Sequence, residues 1–216
     1  MSVDIRALTV GPLQENCYFV RRRGADSAVV VDPGDEAERI TDVLGQLGIS
    51  DVAAILLTHT HFDHVGAVSA VAAATGAPVY CPVREVEVLA NINDYVRFPG
   101  FGPFDSYDAD ATVGGGEVLE LAGLTFDVRF TPGHSPGHVT YAVRDAEALL
   151  AGDVLFQGSV GRVDLPGGDW PTLLTSIESL LGEFPDSATV YPGHGPTTTL
   201  GHERASNPFL TELAHR

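Results

Sequence analysis

One short segment, Thr58-His59-Thr60-His61-Phe62-Asp63-His64, constrains this chain more than any other. It follows directly on Val52 to Leu57, a continuous apolar run with the pattern of a strand buried on both faces. Residues two apart in an extended chain face the same way, so His59 and His61 present both imidazoles to one point in space. Asp63 and His64 come next, at a helix start, where their directions differ enough to address a second point beside the first. Taken singly, Asp63 reads as a helix N-cap and His64 as a helix-terminal residue. Together these are four ligand-type side chains in six residues. A packed interior tolerates such a group only when something cationic satisfies it.

Three further candidates recur on Gly-containing turns after apolar runs: His134 in Phe130-Thr131-Pro132-Gly133-His134, Asp153 in Ala151-Gly152-Asp153, and His194 in Tyr191-Pro192-Gly193-His194. Strand ends are where a rigid scaffold leaves loops free to carry a site. His138, His202 and His215 lack that context and read as supporting or surface residues. Imidazole and carboxylate ligands without thiolate suit zinc, iron or manganese in a catalytic site rather than a structural zinc cluster. Seven ligands exceed what one ion uses, so two metal ions are expected, with room between them for a bridging hydroxide, the usual nucleophile of two-metal hydrolases.

The rest of the chain reads as strands and helices in alternation. Ile5 to Val10, Cys17 to Arg21 and Ala28 to Val31 predict a three-strand meander, and Ala37 to Leu47 an amphipathic helix stopped at Gly48. A helix is expected from about Val65 to Thr75, and a strand from Pro78 to Tyr80. The connector from Asn91 to Gly116 carries Tyr95, Phe98, Phe101, Phe104 and Tyr107 among Pro and Gly, the composition of a locally packed surface loop or of a lid. Strands are then expected at Val118 to Leu121, Leu124 to Phe130, Val139 to Val143 and Ala148 to Leu150, a helix from about Pro171 to Leu181, and a strand at Thr189 to Tyr191. Two β-rich halves, each flanked by helices, predict an α/β chain folded as an αββα sandwich, in one domain over residues 1–216.

Charge narrows the function classes. The formal net charge is −17, and all 12 basic residues are Arg. So acidic a surface repels phosphate backbones and anionic membranes, and the one cluster of cations, Arg21 to Arg23, falls on a probable hairpin edge. A small-molecule substrate, with no nucleic-acid or membrane partner, is the expectation; oligomeric state leaves no mark in the sequence. Without Lys the chain has no Schiff-base nucleophile. No apolar stretch reaches a membrane span, the opening MSVDIRALTV lacks a signal-peptide layout, and Cys17 and Cys81 sit in strand-like runs as buried free thiols. The expected location is the cytoplasm. Arg162 is the only cation placed between a metal ligand and the Gly-rich stretch Pro166-Gly167-Gly168, which makes it the candidate for gripping a substrate carboxylate; the competing reading is an ion pair with Asp164.

The segment Thr58 to His64 matches the THxHxDH signature of the metallo-β-lactamase superfamily, and His134, Asp153 and His194 match its remaining metal positions. The resemblance implies that His59, His61 and His134 hold one metal, that Asp63, His64 and His194 hold the other, and that Asp153 bridges, with Asp63 and Asp153 as the catalytic residues. Gly11-Pro12-Leu13-Gln14-Glu15-Asn16-Cys17, Gly161-Arg162-Val163-Asp164, Pro192-Gly193-His194-Gly195-Pro196, and His202-Glu203-Arg204 with Asn207-Pro208 look like the short glyoxalase II-like branch, which splits S-2-hydroxyacyl-glutathione thioesters. True β-lactamases of the superfamily carry Cys or Ser where this chain has Asp153, and its nuclease branches need an RNA-binding surface. A persulfide dioxygenase, with a single iron on His59, His134 and Asp153, is the alternative; the Pro192 to Pro196 turn favours the hydrolase. A non-catalytic module predicts eroded ligands, whereas all seven are present. Full-length glyoxalase II also has a C-terminal helical domain that helps hold glutathione. Here only a short tail follows His194, and the glutathione-contacting Tyr positions match Asp164 and Pro196, so the thiol carrier is open.

Overall fold

The computed structural model describes residues 2–96 and 98–210, so His215 lies outside the described residues. The amino-terminal sheet is formed by β1 (Val3–Val10), β2 (Glu15–Arg22), β3 (Ser27–Val31), β4 (Asp51–Leu56), β5 (Val79–Pro82) and β6 (Ala111–Val113), side by side in that order. The first three strands form the expected antiparallel meander, and β3 to β6 run parallel. Parallel neighbours need crossovers. These are supplied by α1 (Ala37–Gln46), by α2 (Phe62–Val65) with α3 (Val68–Thr75), and by α4 (Val86–Ala90) with α5 (Ile92–Tyr95).

The second sheet combines β7 (Val118–Leu121), β8 (Leu124–Phe130), β9 (Val139–Val143) and β10 (Ala148–Gly152) with β13 (Thr189–Pro192) and β14 (Thr198–Thr199), in the order β14-β13-β10-β9-β8-β7. A two-residue hairpin pair, β11 (Leu155–Phe156) and β12 (Ser159–Val160), separates β10 from α6 (Trp170–Glu183), and α7 (Leu200–Ser206) follows β14.

Side-chain alternation builds four layers. In β3 and β4, Val29, Val31, Ala54 and Leu56 face the second sheet, where they meet Phe126, Val128, Tyr141, Val143 and Leu150. Their neighbours Ala28, Val30, Ile55 and Leu57 point the other way, onto Ile40 and Leu44 of α1 and Val68 and Val71 of α3. On the far side, Ala142, Leu149 and Ala151 pack on Leu173, Leu174, Ile177 and Leu180 of α6. Strands buried on both faces read as unbroken apolar runs because each parity has its own core. The result is the expected αββα sandwich.

The helix read from Val65 to Thr75 is two helices, with α2 carrying Asp63 and His64 before a break at Gly66. The connector is less irregular than its composition suggests, since it contains α5 and β6. Its aromatic residues pack onto the motif: Phe98, Phe101 and Phe104 lie with ring centroids 5.8, 4.9 and 5.6 Å from Phe62. Phe62 precedes Asp63, so this loop packs against the segment that carries the motif.

A candidate metal centre at the strand ends

The motif residues leave the end of β4. His134 sits in the loop from β8 to β9, Asp153 follows β10, and His194 follows β13. All seven expected ligands thus come together from both sheets. Arg162 approaches through its backbone.

Two groups of ligand atoms result. His59 Nε2, His61 Nδ1 and His134 Nε2 form a triangle with sides of 2.8, 3.1 and 3.2 Å. Three nitrogens on one tetrahedral ion at 2.0–2.1 Å would stand roughly 3.3 Å apart, close to what the triangle shows. Beside it, Asp63 Oδ2 is 3.3 Å from His194 Nε2, and Asp63, His64 and His194 form a second compact set. Asp153 stands between the two. Its Oδ2 is 3.5 Å from His134 Nε2 and 3.6 Å from His194 Nε2, while its Oδ1 is 3.4 Å from His64 Nε2. A close approach permits this: a Cβ on Gly193 would fall 2.2 Å from Asp153 Oδ1 and 2.6 Å from His64 Cε1.

Hydrogen bonds behind the rings decide which nitrogen keeps its lone pair. His134 Nδ1 donates to the Arg162 carbonyl at 2.8 Å, and His194 Nδ1 to the Leu13 carbonyl at 3.1 Å. Thr58 Oγ1 donates to Asp32 Oδ2 at 2.6 Å, so it accepts from His59 Nδ1 at 3.0 Å. His64 Nδ1 meets the same Asp32 oxygen at 3.0 Å. Each of these four imidazoles, when neutral, therefore aims a lone pair at the cluster. The lone pairs of His59 and His134 face each other at 3.2 Å, a repulsive contact that a shared cation relieves. His64 Nε2 and Asp153 Oδ1 are also buried without a hydrogen-bond partner. Unsatisfied buried polar atoms of this kind are rare in a native interior, and the donor set fits metal ions.

Burial and the neighbouring charges move these groups in different directions. Burial and the neighbouring imidazoles hold His61 down to about 4, and burial likewise depresses His59 and His138. At His64 burial works in the same direction, but the carboxylates of Asp153, Asp32 and Asp63 outweigh it and raise the imidazole well above its usual value. Burial would push the Asp153 carboxyl up; His64, His134 and His194 instead hold it well below the ordinary carboxylate range.

Asp32 and Glu85 went unrecognised in the sequence, whereas His138, read there as a supporting or surface residue, takes the supporting role. Asp32, in a left-handed conformation (φ 49°) after β3, also accepts the Thr58 amide at 2.8 Å. With its oxygens committed to Thr58 and His64, it supports the ligands rather than joining them. Glu85 is buried against the loops on either side of the three-histidine group. His138 is fully buried, accepts the Asp153 amide at 3.1 Å and stacks on His59 at 5.0 Å. His202 is exposed on α7. The Arg162 guanidinium forms a bidentate pair with Asp164, both contacts at 2.7 Å and both side chains more than half exposed. A substrate carboxylate would have to share or displace Asp164 there.

No helix among the described residues is long and apolar enough to cross a membrane. The sequence profile of the metallo-beta-lactamase superfamily matches residues 10–194. The chain is similar to the probable metallo-hydrolase YqgX of Bacillus subtilis (strain 168), 41% identical over 95% of this chain and 96% of the relative. It is also similar to the hydroxyacylglutathione hydrolase GloC of Haemophilus influenzae, 34% identical over 96% and 98%. Among solved structures it resembles the B3 metallo-beta-lactamase BLEG-1, with a TM-score of 0.90 and 40% identity over 96% of this chain and 100% of that one. It also resembles a di-iron-bound form of TTHA1623, with a TM-score of 0.84 and 41% identity over 95% and 100%. With the profile, the whole-length relatives and the fold in agreement, the chain belongs to the metallo-β-lactamase superfamily of metallo-hydrolases.

Proposed function

We propose that this protein, as a single catalytic domain of the cytoplasm, hydrolyses small-molecule thioesters of the S-2-hydroxyacyl-glutathione type with two metal ions, zinc first among the candidates. The observation that carries the reading is the Asp153 carboxylate, set between the two ligand groups with Oδ2 toward both His134 and His194. In this reading His59, His61 and His134 hold one ion, Asp63, His64 and His194 the other, and Asp153 both. Ions so held supply a hydroxide at neutral pH and polarise the acyl carbonyl.

The protein's own groups do the rest. Asp32, Thr58 and the carbonyls of Leu13 and Arg162 keep the imidazoles in ligating tautomers, and His138 fixes the Asp153 backbone. With those ring nitrogens committed, none of these histidines is free to act as a general acid. A thiolate leaving group, with a conjugate acid of pKa about 8.5, needs little proton donation, so a thioester suits such a site better than an amide does. The whole-length similarity to a hydroxyacylglutathione hydrolase supports the same substrate class. The buried free thiols of Cys17 and Cys81 fit a reducing compartment.

The similarity to BLEG-1 favours a second reading, β-lactam hydrolysis. The test assays a zinc-loaded sample on a hydroxyacyl-glutathione thioester and on β-lactams, and an iron(II)-loaded sample for oxygen uptake with a glutathione persulfide. Thioester cleavage abolished by a chelator is the expected result. Turnover confined to β-lactams would move the activity to the second reading, and oxygen uptake would make the protein a dioxygenase.

A further inference from the structure

Glu85 stands at the N-terminus of α4, outside every ligand segment, yet the residue is 3% exposed and its carboxylate meets four donors. Oε2 accepts from the Thr60 amide at 2.6 Å and the Thr60 hydroxyl at 2.8 Å. Oε1 accepts from the Gly137 amide at 2.9 Å and from the Ser135 hydroxyl. Thr60 lies between His59 and His61, and Ser135 directly follows His134. One carboxylate therefore ties together the two loops that carry the three-histidine triangle, segments far apart in sequence. A Cβ on Gly137 would fall 2.4 Å from Glu85 Cγ, so that loop sits directly against the Glu85 side chain.

We propose that Glu85 is a positioning residue for the His59, His61 and His134 metal site: it sets the gap between the two loops and so the spacing of the triangle. The inference rests on the metal assignment above. Its chemistry demands a carboxylate. The hydroxyls of Thr60 and Ser135 can rotate, but each oxygen of Glu85 also faces a backbone amide that can only donate. A glutamine offers one oxygen, so in either orientation its NH2 group opposes one of those amides. Buried donors left facing donors lose their bonds and push the loops apart.

The test titrates cobalt(II) into metal-free wild-type protein and Glu85→Gln, following the visible absorption of the bound ion and competing it with a chelator of known affinity. Glu203→Gln serves as the structural control. Glu203 is also fully buried and hydrogen-bonded, to Thr198, Gly158 and Asn207, and those bonds do not reach the two loops that carry the three-histidine triangle. We expect Glu85→Gln to weaken the first cobalt by about 10- to 100-fold and to change its spectrum. Glu203→Gln is expected to lower the melting temperature while leaving affinity and spectrum as in wild type. If Glu85→Gln does not fold, Ser135→Ala, which removes one hydroxyl donor, replaces it with a smaller loss in the same direction. Wild-type cobalt affinity and spectrum in the folded variant would overturn the inference. Failure of wild type to bind cobalt would instead overturn the metal assignment.

Discussion

His64 Nε2 and Asp153 Oδ1 face each other across 3.4 Å in the interior, both buried and neither making a hydrogen bond. Behind them the pattern reverses. His64 Nδ1 is held by Asp32, and the Asp153 amide by His138. Two side chains anchored at the back and unsatisfied at the front are arranged to share a cation.

The first expectation concerns stoichiometry. Six candidate ligands in two groups, with Asp153 between them, should hold about two ions per chain, with zinc, iron or manganese. Elemental analysis of purified protein checks this. A constant one ion per chain, unchanged by added zinc or manganese, would rule out the two-metal assignment.

Asp153 should matter more than His64. Asp153 approaches both ligand groups, whereas His64 belongs to one. Asp153→Ala is therefore expected to lose both ions and essentially all activity, and His64→Ala to keep the three-histidine site. Equilibrium dialysis of both variants against zinc distinguishes them; retention of two tightly bound ions in Asp153→Ala would refute the bridging role.

Asp32 should act through orientation. It accepts from the Thr58 amide, the Thr58 hydroxyl and His64 Nδ1. Asp32→Asn preserves size but replaces one acceptor with a donor, and metal affinity should fall by roughly 10- to 100-fold. Chelator competition measures it, and an unchanged dissociation constant would reduce Asp32 to a folding role.

For Arg162, the pair with Asp164 turns a simple expectation into a competition. If Arg162 grips a substrate carboxylate, Arg162→Ala should lower kcat/KM for an anionic thioester by about 10- to 100-fold, mainly through KM, and spare a neutral one. Asp164→Ala, which frees the guanidinium, should lower KM for the anionic substrate. Equal effects on charged and neutral thioesters would return Arg162 to the scaffold.

One pH dependence follows from a pair far from the site. Arg144 makes a bidentate contact with Asp127, Nε at 2.8 Å and a terminal nitrogen at 2.7 Å. Those hydrogen bonds hold the Asp127 carboxyl below its ordinary value. A depressed acid contributes stability above the unfolded-state pKa of about 3.9 and loses it as pH falls through the lower folded value. Wild type should thus exceed Arg144→Ala in urea midpoint at neutral pH, and the gap should close below about pH 4. A gap independent of pH would assign the effect to packing of the arginine stem.

The sequence by itself determined the sandwich and gathered the seven candidate ligands. Two-sided burial turns β3 and β4 into unbroken apolar runs, and four ligand types in six residues have no comfortable place in an apolar interior. Both signals are local, legible without knowing what lies across the molecule. What only the tertiary structure decided was the support. Asp32 precedes a Pro-Gly turn and Glu85 precedes a short helix, and neither position signals a supporting role in the sequence. Their partners lie 25 to 52 residues away, at Thr58, Thr60, Ser135 and Gly137. The same holds for Arg162, whose carbonyl orients His134 while its charge is taken up by Asp164. Short elements such as β6, β11, β12 and β14 were equally unreadable, because two or three residues carry no period. A ligand announces itself by residue type. The residue that aims it is an ordinary carboxylate or carbonyl, and its role exists only once the chain has brought the two together.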